Sequence, residues 1–150
     1  MTVRPAPEDD AARRHWMGTL AMATAGEIAA AYAALGAVAA PTRIRAPETG
    51  TVLLRGRVGG TGAPFNFGEA TMTRCTVRLG DDGPLGFGYV LGRDRRHAEI
   101  AAIFDALLQR GDARARTHVD ALAAAQAERA RRQDADAATS KVDFFTMVRE

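Results

Sequence analysis

A chain of 150 residues with twenty basic against eighteen acidic side chains, 47% hydrophobic residues and one cysteine can bury a core without covalent or metal staples. The lone Cys75 excludes an internal disulfide, a CxxC redox pair and a multi-cysteine zinc site. No apolar run approaches the roughly 18 residues of a membrane span, and residues 1–10 carry one arginine, two prolines and three acids where a secretory signal would be apolar. The expectation is one cytoplasmic domain over residues 1–150.

In chain order, residues 8–39 read as helix in two segments. Trp16, Met17 and Leu20 recur three to four apart, as do Ile28, Tyr32 and Leu35, with Gly26 and Gly36 as the expected interruptions. Pro41 and Pro47 bracket a short extended piece over 42–46. From Thr51 the period falls to two. A strand is expected over 51–58, then a glycine-rich loop, then a strand over 70–79 with Thr71, Thr73, Cys75, Val77 and Leu79 facing inward. Gly80-Asp81-Asp82-Gly83 supplies a hairpin turn into a strand over 85–91, whose Gly86 and Gly88 leave one face bare for another backbone to approach. Asp94 is the expected N-cap of a helix carrying Ile100, Ile103, Phe104, Leu107 and Leu108 on one stripe and ending at Gly111. Residues 112–138 read as a helix with only Val119 and Leu122 as large anchors, followed by an apolar tail of Val142, Phe144, Phe145, Met147 and Val148. The fold class is α+β: N-terminal helices, a central antiparallel sheet with hairpins, C-terminal helices and an apolar C-terminal tail.

Charge is unevenly placed along these elements. Nineteen of the twenty basic residues are arginine, and the stretch 43–97 holds nine arginines and five acids, a net of +4 between mildly acidic flanks. That middle is where an anionic ligand or an acidic protein surface is attracted. Arg93, Arg95 and Arg96 crowd the start of the helix at Asp94, where cations oppose the helix dipole unless an anion is present. With Arg55, Arg57, Arg74 or Arg78 on the nearby strands they are candidates for a multi-arginine anion site. The opposing reading pairs them with Glu48, Glu69, Asp94 and Glu99.

Motifs for self-sufficient chemistry are missing. The loop around Gly59, Gly60 and Gly62 has neither the Gly-Lys-Ser/Thr ending of a P-loop nor a GxGxxG spacing, so a glycine-rich strand connection, or a loop that packs closely against another subunit, is the favoured account. His97-Ala-Glu99 echoes the HxE of zinc deaminases without the PCxxC half. His15, His97 and His118 have no metal-ligand spacing, and Ser140 is the only serine for a triad. No metal and no catalytic residue is assigned.

Five stretches carry a resemblance: Arg14-His15-Trp16-Met17; Pro47-Glu48-Thr49-Gly50; the run GRVGGTGAPFNFGEATMTRC at 56–75; Gly88-Tyr89-Val90-Leu91-Gly92-Arg93-Asp94-Arg95-Arg96-His97-Ala98-Glu99; and Lys141-Val142-Asp143-Phe144-Phe145. Together they span almost the whole chain, which resembles the PhnG subunit family of the bacterial carbon–phosphorus lyase core complex. Its departures, Thr51 at a usually apolar position and His15 at a usual Gln, are mild. The resemblance implies a role in phosphonate catabolism with PhnI, PhnH and PhnL, exchanging the adenine of ATP for an alkylphosphonate, with PhnI as nucleosidase and PhnJ as the radical lyase of the same hetero-oligomer. MgATP is then a substrate of the complex, and this chain alone binds no cofactor.

Two readings follow. In one the chain is a non-catalytic assembly subunit whose Gly59, Gly60 and Gly62 and tail residues Phe144 and Phe145 form an interface with PhnI. In the other it lends Arg57, Arg74, Arg93 and Arg96 to a shared triphosphate site, with Glu69 or His97 moving a proton. A nucleic-acid binder is the poorer third, since the positive charge is modest and no reading helix or stacking platform stands out.

Overall fold

The computed structural model describes residues 7–139. Helices α1 (Pro7–Met22) and α2 (Ala25–Leu35) precede three strands, β1 (Pro41–Arg57), β2 (Pro64–Leu79) and β3 (Leu85–Leu91), and helices α3 (Arg95–Gln109) and α4 (Ala113–Thr139) follow. The strands form one antiparallel sheet in the order β1-β2-β3, and the helices pack on one of its faces. This is the expected α+β class. The apolar tail, with Phe144 and Phe145, lies outside the described residues. No described helix is long and apolar enough to cross a membrane.

The break between the first two helices lies at Ala23 and Thr24 rather than at Gly26. Thr24 and Glu27 form a reciprocal capping box, with the Thr24 hydroxyl accepting from the Glu27 N–H at 3.2 Å and Glu27 accepting from the Thr24 N–H at 2.9 Å. A cap that satisfies orphan donors decides a helix start more firmly than one glycine, so Gly26 sits inside α2 while Gly36 does terminate it.

The expected piece over 42–46 and the strand over 51–58 are one strand. The β1–β2 register slips between Arg43 and Arg45 and again between Arg45 and Glu48, so Pro47 falls in a bulge, where its missing N–H breaks no ladder bond. Most of the expected glycine-rich loop is also strand, because Phe65 and Asn66 pair with Gly56 and Arg55. What remains is a single 3-10 turn, Val58–Gly60, in which Gly59 and Gly60 adopt positive φ.

Core placement follows the periodicity. Thr73, Cys75, Val77 and Leu79 are buried, as are all five apolar positions of the α3 stripe and Trp16, Leu20, Ile28, Leu35, Val119 and Leu122. The bare face of β3 is used for close approach. A Cβ on Gly86 would stand 2.0 Å from the Ala102 carbonyl oxygen, and one on Gly88 would stand 2.0 Å from that of Ala98. Small residues on both sides let helix and strand backbones meet.

Candidate functional site

The arginines expected to form one anion site are distributed over three places. Arg93 and Arg96 lie at the N-terminus of α3, which Asp94 caps by accepting from the His97 N–H at 2.9 Å. Here α2, the start of β1 and α3 enclose a cleft of about 460 Å3 lined by Tyr32, Pro41, Arg43, Arg96, Glu99, Ile100 and Ile103. The Arg96 guanidinium sits 5.8 Å from the Tyr32 ring centroid, and Glu99 is held by Arg43 at 2.6 Å. The first turn of α3 contains no acid to offset Arg95 and Arg96.

Arg74 stands elsewhere, on the outer face of the sheet beside Tyr89. Its Nε donates to Glu48 at 2.6 Å, and Arg45 reaches the same carboxylate oxygen at 2.7 Å. Arg45 first and Arg74 second hold the Glu48 carboxyl below the usual range. Glu48 and Glu99 thus take up three arginines between them, of which only Arg74 belongs to the candidate anion set.

Arg57 is at the far end of β1, where its Nη1 donates to the Gly62 carbonyl at 3.0 Å. Glu48 pairs with Arg74 and Arg57 with Pro64, so about 30 Å of strand separate the two sites. Gly59, Gly60 and Gly62 lie at this tip, with Gly62 N–H donating to the Val58 carbonyl at 3.0 Å. One small ligand cannot touch Arg57 and Arg74 of the same chain.

Two of the groups capable of proton or nucleophile chemistry, His97 and Cys75, are engaged by the fold. His97 is buried, with Nε2 2.7 Å from the Leu20 carbonyl, a contact that fixes that nitrogen as the donor. Cys75 is buried with its thiol directed at the Arg45 carbonyl at 3.4 Å, and burial, aided by Glu99, pushes it up to about 11. Glu69 is exposed and pairs across strands with Leu53. Among the described residues no three His, Cys, Asp or Glu side chains gather as a metal set.

Sequence reasoning missed Asp105. It is wholly buried and accepts from Arg13 Nη2 at 2.7 Å, Trp16 Nε1 at 2.9 Å, the Phe87 N–H at 2.9 Å and Gln109 Nε2 at 3.1 Å. Every lone pair is used in joining α1, β3 and α3, so the carboxylate is a structural node. The signal was present, since an acid between Phe104 and Ala106 inside an apolar stripe requires partners.

Sequence reasoning also missed the extent of exposed apolar surface on the sheet. Leu53, Val58, Phe65 and Phe67 are 62%, 71%, 46% and 58% exposed, and Tyr89 and Leu91 are exposed nearby. Their alternation along β1 and β2 was legible, but not where β3 stops covering them.

Comparison with known proteins agrees with the motif pattern. Residues 11–150 match the family described as phosphonate metabolism protein PhnG. The chain is similar to the alpha-D-ribose 1-methylphosphonate 5-triphosphate synthase subunit PhnG of Rhizobium meliloti (strain 1021), 48% identical over 142 residues that cover 93% of this chain and 90% of that protein. The arginine-rich surfaces, the glycine-tipped hairpin and the engaged histidine and cysteine are therefore features of a protein that belongs to the PhnG family of phosphonate metabolism.

Proposed function

We propose that this chain is a non-catalytic assembly subunit of an alpha-D-ribose 1-methylphosphonate 5-triphosphate synthase, the activity named for its relative. In that role it supports exchange of the adenine of ATP for methylphosphonate in a cytoplasmic hetero-oligomer with PhnI, PhnH, PhnJ and PhnL. MgATP is a substrate of the complex, and the chain holds no cofactor of its own. One observation carries the reading. The buried histidine and cysteine are committed to the fold, while a long apolar stretch of sheet stays uncovered. Gly59, Gly60 and Gly62 at the hairpin tip belong to the interface with PhnI, and the tail residues Phe144 and Phe145 contact the same partner.

A second reading, a shared triphosphate site, is favoured by the crowding of Arg93, Arg95 and Arg96 at a helix start where the Asp94 cap is the one acid and the first turn has none. Arg93 and Arg96 would hold the phosphates there. Arg57 and Arg74, remote from each other, would serve separate contacts.

Adenine release from MgATP and methylphosphonate by the assembled partners separates the two. The assay is run with this chain present, absent, or carrying Arg93→Ala and Arg96→Ala, at matched assembly. We expect dependence on the chain and a full rate in the mutant complex. A rate fall of 100-fold or more in a correctly assembled mutant would place the arginines at the substrate.

A further inference from the structure

β3 ends at Leu91, opposite Met72. Beyond that point β1 and β2 continue alone as a two-stranded arm over residues 51–70, about 20 Å long, closed by the Val58–Gly60 turn. A hairpin of this kind, with no third strand and no helix beneath it, is marginal by itself in water. Yet this one is built: the Arg57–Gly62 bond braces the tip, and Gly56 lies beneath Phe67, since a Cβ at Gly56 would stand 3.1 Å from Phe67 Cδ1. Phe65 and Phe67 stack at a tilt with centroids 6.2 Å apart.

The arm has two chemically different faces. Strand alternation puts Leu54 and Gly56 on the side of Phe67, in line with Val52 and, through the register, with Met72 and Leu91. This makes a continuous apolar stripe running from the outer sheet face to the arm. The other side of β1 carries Leu53, Arg55 and Arg57. Along the arm there are two arginines and one acid, Glu69, which lies at its base opposite Leu53. Neither arginine has a carboxylate partner among the described residues.

From this we infer that the arm is a docking element that inserts into a cleft on a partner subunit of the synthase, with an apolar wall against Phe65 and Phe67 and carboxylates against Arg55 and Arg57. The inference rests on the assembly reading above. A flat second copy of this chain would cover one face and leave the other in water, whereas a cleft covers both. The C-terminal segment is the poorer occupant, because α4, which leads into it, packs against α1, α2 and α3.

The test co-expresses the full-length chain with the other synthase subunits and measures its yield in the purified complex, alongside the melting and association state of the chain alone. Phe67→Ser and Arg55→Glu are compared with Arg131→Ala on the exposed face of α4. We expect both arm variants to melt within about 2 °C of wild type. Their incorporation should fall at least tenfold, while Arg131→Ala assembles normally. Salt should weaken incorporation of the wild type more than that of Arg55→Glu. Normal incorporation of both arm variants overturns the docking inference and leaves the assembly reading intact. Failure of the wild type to enter any complex overturns both. Self-association of the isolated chain that Phe67→Ser abolishes would make a second copy the occupant and overturn the inference.

Discussion

Glycines on the two parts of the sheet serve opposite ends. At Gly86 and Gly88 the missing side chains are replaced by the backbone of α3, whose Ala98 and Ala102 carbonyls occupy the space a Cβ would need. At Gly56, on the arm, the space is covered by a half-exposed aromatic ring with no backbone near it. The first region is over-determined: helix, strand and the Asp105 node fix one another, and no side chain there can grow. The second is held by a ladder between two strands, one ring stack and one side-chain bond to the turn. Stability therefore resides in the packed half, and the arm is left to meet something else.

Substitutions can break or sharpen this contrast. The largest effect is expected at Asp105→Ala, which strands the Arg13 guanidinium, the Trp16 indole N–H and the Phe87 N–H together. A loss of about 3–5 kcal/mol in denaturant unfolding is expected, the range for breaking a buried pair by removing one partner. A loss below about 1 kcal/mol would show that the packed half is not tied through this carboxylate. Next comes Gly88→Ala, whose methyl meets the Ala98 carbonyl and pushes α3 away, at about 1–3 kcal/mol. The arm variant Phe67→Ser, by contrast, should leave the melting curve nearly unchanged.

The smallest loss expected within the packed half concerns Asp112, which precedes α4 and accepts from the Arg114 and Ala115 N–H groups at 2.9 and 3.2 Å. The Arg114 guanidinium, with help from these N–H groups, holds its carboxyl down to about 2. A carboxyl depressed in the folded state stabilises it fully above its ordinary pKa and loses that contribution as pH falls through about 2. Asp112→Ala should cost about 1 kcal/mol near neutral pH. In urea melts the gap from wild type should narrow below pH 4 and close near pH 2.

The helices, the hairpin order, the inward face of β2 and the close approach at β3 were legible in the sequence, because each depends on spacing within one element. Asp94 as a cap and the α3 stripe belong to the same class. The boundaries that moved depended on partners. Pro47 breaks a strand unless the register offers a bulge, and residues 64–69 form a loop unless β1 lies alongside.

The candidate site divides along the same line. The order of charged residues along the chain determined a basic middle, and the long motif run identified the family. Only the tertiary structure decided that Arg57 lies far along the strand from Arg74, that Glu48 and Glu99 neutralise three arginines, and that His97 is buried against Leu20. Charge and periodicity are written locally along the chain. Which cation meets which carboxylate, and which apolar face stays uncovered, depends on where the third strand stops and where the helices settle. Those are properties of packing between elements distant in sequence, which no window along the chain contains.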